Sequence, residues 1–156
     1  MGEGLNGAKN QAERLRIGIR GGWLRIDEAI AWADAEIARE AEPHPSLLDV
    51  ALAHRRTREE IASLLSTVPG SADTVAVMRW CLHDLLVALE REPGLARDAA
   101  RWLEANAQRD GLPESEFGWE PYVLAELFAL ADEGLGFREE AHARLLAFLR
   151  QHARPG

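Results

Sequence analysis

Apolar residues recur at helical spacing along almost the whole chain, from Ala8 to Ala153, and helix-ending residues interrupt them at short intervals. A helix that buries one face repeats apolar side chains every three or four residues. No stretch alternates apolar and polar residues between turn signals, as a half-buried strand does. The pattern predicts an all-α protein, with residues 1–7 as a flexible N-terminal tail and 8–153 as a single helical domain.

Start and stop signals divide this pattern into seven to eight short helices. Proline cannot continue a hydrogen-bonded helix, so Pro43 and Pro69 each end one. Ser46 and Asp73 are predicted N-caps, and Thr57 with Glu60 fits a capping box. The predicted helices cover about residues 8–19, 27–41, 46–52, 57–68, 74–90, 95–110, 120–132 and 138–153.

The helix predicted at 73–90 is apolar almost all round, with Arg79, His83 and Glu90 as its narrow polar sector. Such a helix lies in the middle of a bundle. We therefore expect an irregular or orthogonal bundle packed around it. The predicted core consists of Ile30, Ile37, Leu48, Leu52, Ile61, Leu65, Met78, Leu82, Leu85, Leu89, Leu103, Leu127, Leu145 and Leu149.

Composition restricts the class of protein further. A chain of 156 residues can bury a core without disulfide or metal staples. The only cysteine, Cys81, cannot form an internal disulfide and is predicted to be a small buried hydrophobe. No apolar run has the roughly 18 residues of a membrane span, and the first residues lack the pattern of a signal peptide. A cytoplasmic location is the resulting expectation.

Charge and motifs argue against several kinds of site. The net charge of −8 disfavours nucleic-acid binding and is compatible with solubility alone or with a basic protein partner. Glu139 and His142 have the spacing of a metal-ligand pair, but no second pair exists, so no metal or cofactor is predicted. The glycines of residues 2–7 match a dinucleotide-binding pattern without the strand that must precede it. His152, at the end of the last helix, is expected to be stabilised as a cation by the terminal carbonyls.

The segment 113–122 is the most unusual patch, since it alternates acids with aromatic residues in the longest predicted irregular stretch. In one interpretation, its aromatics close the core and its acids face water. In the other, it recognises a basic surface through ion pairs and stacking on arginine. Trp32 points away from the apolar stripe of its helix and is either covered by a loop or an exposed anchor. The candidate partner-binding residues are Glu114, Glu116, Phe117, Trp119, Glu120, Tyr122 and Trp32.

The stretch GWLRIDEAIAWADAEI at residues 22–37, with PSLLDVAL at 45–52, resembles the opening of small uncharacterised bacterial helical proteins, some of them similar to immunity proteins of toxin systems. The resemblance covers about a third of the chain and includes no catalytic residue. It implies a bacterial interaction protein.

The sequence therefore predicts a non-enzymatic, immunity-like protein-binding module with an acidic surface. The alternative is an enzyme or small-ligand carrier whose site is assembled from residues far apart in the sequence. A deep pocket with converging ionisable groups would favour that alternative. A structural unit that forms oligomers is a third possibility.

Overall fold

The computed structural model describes the backbone from Gly2 to Gly156 and the side chains from Asn6 onward. This part of the chain is 74% helical and contains no strand, which confirms the all-α class. Its helices are α1 Gly2–Gly21, α2 Ile26–Arg39, α3 Pro45–Ala51, α4 Arg58–Ser66, α5 Thr74–Arg91, α6 Ala96–Gln108, α7 Glu114–Phe117, α8 Glu120–Asp132 and α9 Arg138–His152, with a 3-10 turn at Pro93–Leu95. None of them is long and apolar enough to cross a membrane.

Several helix ends follow the predicted capping chemistry. Thr57 accepts a hydrogen bond from the Glu60 amide at 3.2 Å, and the Glu60 carboxylate accepts one from the Thr57 amide at 2.7 Å. Asp73 likewise accepts from the Ala76 amide at 3.1 Å. The prediction for α3 was wrong by two residues: the N-cap is His44, whose Nδ1 accepts from the Ser46 amide at 3.2 Å. Pro45 takes the first helical position, where its missing N–H costs nothing.

The first helix differs most from its prediction. It begins at Gly2, so the segment predicted as a flexible tail continues the helix, apart from Met1, which lies outside the described residues. The glycines of the dinucleotide-like pattern are thus part of a helix rather than a phosphate-binding loop. At the other end of α1, Gly22 has φ +89° and closes the helix, with its amide 3.0 Å from the Gly18 carbonyl oxygen.

The chain divides into two compact units, one reaching Val77 and including Gly156, and one covering Met78–Pro155. In the first unit α1 packs on α4, and α2 packs on α3. Its core includes Leu15, Ile19, Leu47, Val50, Ile61 and Leu65. In the second unit α8 packs on both α6 and α9. Its core includes Leu103, Phe117, Leu124, Leu145 and Leu149. That residues 8–153 behave as one domain stays a prediction.

Helix α5 is covered along most of its length, since no residue from Val75 to Leu89 is exposed. This agrees with its all-round apolar pattern, while the packing of the other helices around it stays a prediction. Two residues of its predicted polar sector, Arg79 and His83, are half-buried rather than solvated. Arg79 is covered because its guanidinium lies over the ring of Phe117.

The core prediction is wrong for two residues: Leu48 is exposed, and Leu52 is 81% exposed. Helix α3 has only seven residues and carries two possible apolar stripes. The stripe of Leu47 and Val50 is buried, which turns Leu48 and Leu52 toward solvent. Ile37 and Leu127 are half-buried, and the other predicted core residues are buried.

Candidate functional site

The segment that connects α6 to α8 is more ordered than an irregular loop. Asp110, with φ 59°, ends α6, and the Gly111 amide then bonds the Asn106 carbonyl oxygen at 2.8 Å. This is the closing bond of a Schellman turn. The short helix α7 follows, and Gly118, with φ 69°, turns the chain into α8. These turns fix the directions of the aromatic side chains on either side of Gly118.

Phe117 is a core residue of the second unit, with only 2% of its surface exposed. Its ring centroid lies 5.4 Å from that of His152, and the Arg79 guanidinium carbon lies 5.0 Å from the Phe117 centroid. Phe117 therefore offers almost no exposed surface of its own, and its assignment to a partner-binding surface stays a prediction. Its side chain already has partners within the fold.

Trp119, two residues later, has the opposite environment. It is 62% exposed, and its ring centroid lies 5.3 Å from that of Tyr122, which is half-buried. Its indole forms one edge of a groove of about 540 Å³ between α9 and the start of α8. We call this the Trp119 groove; it is lined by Phe117, Gly118, Trp119, Glu120, Val123, Arg144, Ala147, Phe148, Gln151 and His152.

One wall of the groove carries a bidentate ion pair. The two carboxylate oxygens of Glu120 lie 2.8 and 3.0 Å from the guanidinium of Arg144. The hydrogen bonds and charge of Glu120 raise the pKa of Arg144 above its usual range. Because the pair joins the first turn of α8 to α9, it fixes the wall and leaves it electrically neutral.

The acids of this segment are only partly free for a basic partner. Glu116 accepts from Arg79 at 3.2 Å, and Glu120 is held by Arg144. Glu114 is exposed and takes part in no ion pair among the side chains from Asn6 onward. The sequence predicts a strongly acidic surface in this segment. In the structure, Glu114 is the main acid of the segment that still contributes to such a surface.

His152 forms the apolar floor of the groove together with Phe148, with ring centroids 4.7 Å apart. Burial and the positive charges of Arg79 and Arg154 lower the pKa of His152 below that of an exposed histidine. This direction is opposite to the expected stabilisation of a cation, because burial and the two nearby positive charges disfavour the protonated ring. The carbonyl oxygen of His152 accepts a hydrogen bond from Arg79 at 3.2 Å, which ties the end of α9 to α5.

Trp32 does not contribute to this groove. It is half-buried and packs against the core of the first unit. That position agrees with the covered alternative better than with an exposed anchor.

The groove also contains residues that sequence reasoning missed. Arg144, Phe148 and Gln151 come from α9, more than twenty residues after the acidic–aromatic segment. Only one signal in the sequence pointed to them: Phe148 belongs to the apolar stripe of the last helix. The Glu120–Arg144 pair has no local spacing rule, because its partners lie on different helices.

The lining of the groove combines aromatic, aliphatic and polar side chains. Its ionisable groups are one closed ion pair and one histidine, His152, whose pKa is lowered by burial and nearby positive charges. Within the described residues, no three His, Cys, Asp or Glu side chains come together as metal ligands. Cys81 is buried, as predicted, and does not line the groove.

Comparison with protein-family models, with curated proteins and with solved structures found no match to this chain. A function must therefore be argued from the site itself.

Proposed function

We propose that this chain is a non-enzymatic protein-binding module whose contact site is the Trp119 groove. The observation that carries the proposal is the 62% exposure of Trp119 beside an apolar groove. Tryptophan is enriched among the residues that dominate binding energy at protein interfaces. An indole left in water at the edge of a groove is an anchor for a partner side chain.

The groove also has the layout of an interface contact. Val123, Ala147 and Phe148 provide apolar walls, and the Glu120–Arg144 pair stands beside them. Polar groups around an apolar centre exclude water from the contact and determine its orientation. The best partner is a protein that presents an apolar side chain with polar neighbours.

The resemblance of residues 22–37 and 45–52 to immunity-like proteins suggests a specific partner class, a bacterial toxin that this chain inhibits in the cytoplasm. The net charge of −8 supports a partner with a basic surface, because opposite net charges accelerate association.

The proposal can be tested with the product of a gene adjoining the one for this chain. That protein is titrated by calorimetry into the wild type, Trp119→Ala and Leu52→Ala. Leu52 is the matched control, since it is an exposed apolar side chain outside the groove. We expect Trp119→Ala to weaken binding about 30-fold, the effect of losing an interface hot spot. Equal affinity for all three proteins would refute the groove as the contact site.

The volume of the groove, about 540 Å³, also lies in the range of small-molecule sites. A small-ligand carrier is therefore the second candidate. It predicts saturable binding of a small aromatic or apolar compound, detected as chemical-shift changes confined to the groove residues. The protein-binding proposal predicts such changes only with a protein or peptide.

A further inference from the structure

A second apolar feature lies at the opposite end of the α8–α9 hairpin from the Trp119 groove. The connection between these helices carries Leu135, 72% exposed, and Phe137, 79% exposed. We call residues 133–137 the apolar loop. Large side chains exposed together in this way mark an interaction site more often than one exposed residue does.

The apolar loop is held in a defined conformation. The Leu135 amide donates to the Leu130 carbonyl oxygen at 2.9 Å, and Gly134, with φ 76°, completes a Schellman turn. Before the loop, Asp132 binds Arg97 at 2.7 Å and Arg138 at 3.0 Å. The two apolar side chains are therefore presented from a fixed loop, which lowers the entropic cost of binding.

The loop cannot enter the groove of its own molecule. The groove lies at the start of α8 and the loop at its end, and α8 has 13 residues. At 1.5 Å per residue, the two features are about 20 Å apart. Only another molecule can bring an apolar loop to this groove.

The charges at the two ends of the hairpin are complementary. The first turn of α9, next to the apolar loop, carries Glu139 and Glu140 together with Arg138, whose charge is paired with Asp132; its last turn, next to the groove, carries Arg150. Arg154 follows at the groove end. This arrangement compensates the dipole of α9 within one molecule. It also places opposite charges against each other when the loop end of one molecule meets the groove end of the next.

We propose that the apolar loop of one molecule docks in the Trp119 groove of a second copy, giving a head-to-tail association. This proposal rests on the protein-binding function proposed above, and it names a second copy of the chain as an occupant of the groove. Because the two surfaces differ, the contact is heterologous and leaves a free groove and a free loop at the ends. Association therefore continues beyond the dimer or closes into a ring, and a cognate partner competes with the second copy for the groove.

The test is sedimentation-velocity ultracentrifugation over a series of concentrations. The wild type is expected to grow beyond the monomer mass of 17.3 kDa as its concentration rises. Phe137→Ser removes the inserted side chain, and Trp119→Ala removes the groove edge. Each is expected to weaken self-association about tenfold or more, as loss of an anchor does. Leu52→Ser, which alters an equally exposed residue elsewhere, is expected to associate like the wild type.

Mixing the two variants gives the decisive measurement. Phe137→Ser retains an intact groove and Trp119→Ala an intact loop, so the mixture is expected to form a heterodimer that stops at twice the monomer mass. A wild type that stays monomeric, or a mixture that stays monomeric, would overturn the proposal. So would variants that associate like the wild type.

The same variants separate this proposal from the proposed function. If the cognate protein loses affinity for Trp119→Ala while the wild type alone stays monomeric, the groove binds a partner and self-association is wrong. If the wild type self-associates as described and the adjoining gene product does not bind, the groove is a self-association site and the partner assignment is wrong.

Discussion

Phe117 and Trp119 form a natural pair for testing how this segment folds. They are separated by one glycine, yet Phe117 is 2% exposed and Trp119 is 62% exposed. Truncating a fully buried phenylalanine to alanine costs about 3–5 kcal/mol, the sum of the lost transfer free energy and the cavity. We therefore expect Phe117→Ala to lower the free energy of unfolding by about 4 kcal/mol.

Trp119→Ala should cost far less. Trp119 buries only about a third of its surface, and fully burying a large apolar side chain is worth roughly 1.5–3 kcal/mol. Its stacking on Tyr122, partly exposed to water, adds a fraction of the roughly 0.5–1.5 kcal/mol of a buried aromatic pair. The expected loss is below about 1.5 kcal/mol.

Urea unfolding followed by far-UV circular dichroism measures both variants without relying on fluorescence, which five tryptophans would confuse. Both positions lie in the unit Met78–Pro155, so they report on the same transition even if the units unfold separately. Phe117→Leu is the control, since it preserves most of the buried volume and should cost less than about 1.5 kcal/mol. Similar losses for Phe117→Ala and Trp119→Ala would refute the assignment of one to the core and the other to the surface.

The packing and the charges support four other predictions. The free energy of unfolding should fall as the pH drops through 6.5, the pKa of an exposed histidine, because the unfolded chain binds a proton that folded His152 resists. The loss of stability should end once the pH is below the lowered pKa of His152 in the folded protein. His152→Gln should reduce this pH dependence. An unchanged profile of stability against pH in this variant would contradict the assignment to His152. Gly18→Ala should destabilise the protein by about 1–3 kcal/mol, because the added Cβ would lie 2.5 Å from Leu24 Cγ. Gly7→Ala, whose added Cβ would meet nothing within 4 Å, should slightly raise the melting temperature, because alanine favours a helix more than glycine does. Leu82→Ala should cost about 2–5 kcal/mol in urea unfolding, and a loss near zero would refute its core position.

Sequence reasoning succeeded where one local rule decides the structure. The capping box at Thr57 needs only side chains three residues apart, and it forms as predicted. The covered state of α5 follows from a composition that leaves almost no polar face. In both cases the residues that determine the outcome are neighbours in the sequence.

Sequence reasoning failed where two local patterns fit the same residues equally well. In α3, either Leu47 with Val50 or Leu48 with Leu52 could form the buried stripe, and only contacts with other helices choose between them. Near Phe117 and Trp119 there is no helical period to follow. The turn at Gly118, with φ 69°, sends the two rings in different directions, and aromatic content alone does not reveal it.

The Trp119 groove was only half predictable because its walls come from separate parts of the chain. Its aromatic edge was among the predicted candidates, whereas Arg144 and Gln151 lie on a helix that no local motif connects to it. The same separation in sequence explains why sequence reasoning overestimated the free acidic surface. Glu116 and Glu120 look available in the sequence, and each meets an arginine only after the chain has folded.

Net charge and local charge therefore affect binding in different ways. The whole chain carries −8, and under the proposed function this long-range field would raise the rate at which a basic partner approaches, within the roughly 10 Å screening length at 0.1 M salt. In the groove itself, the Glu120–Arg144 pair cancels its own charge, and the remaining contact surface is mainly aromatic and aliphatic. The lifetime of a complex depends on such short-range contacts, since most affinity differences at an interface arise in dissociation. An acidic composition thus agrees with the proposed contact site, which is locally neutral, because the two properties govern different steps of binding.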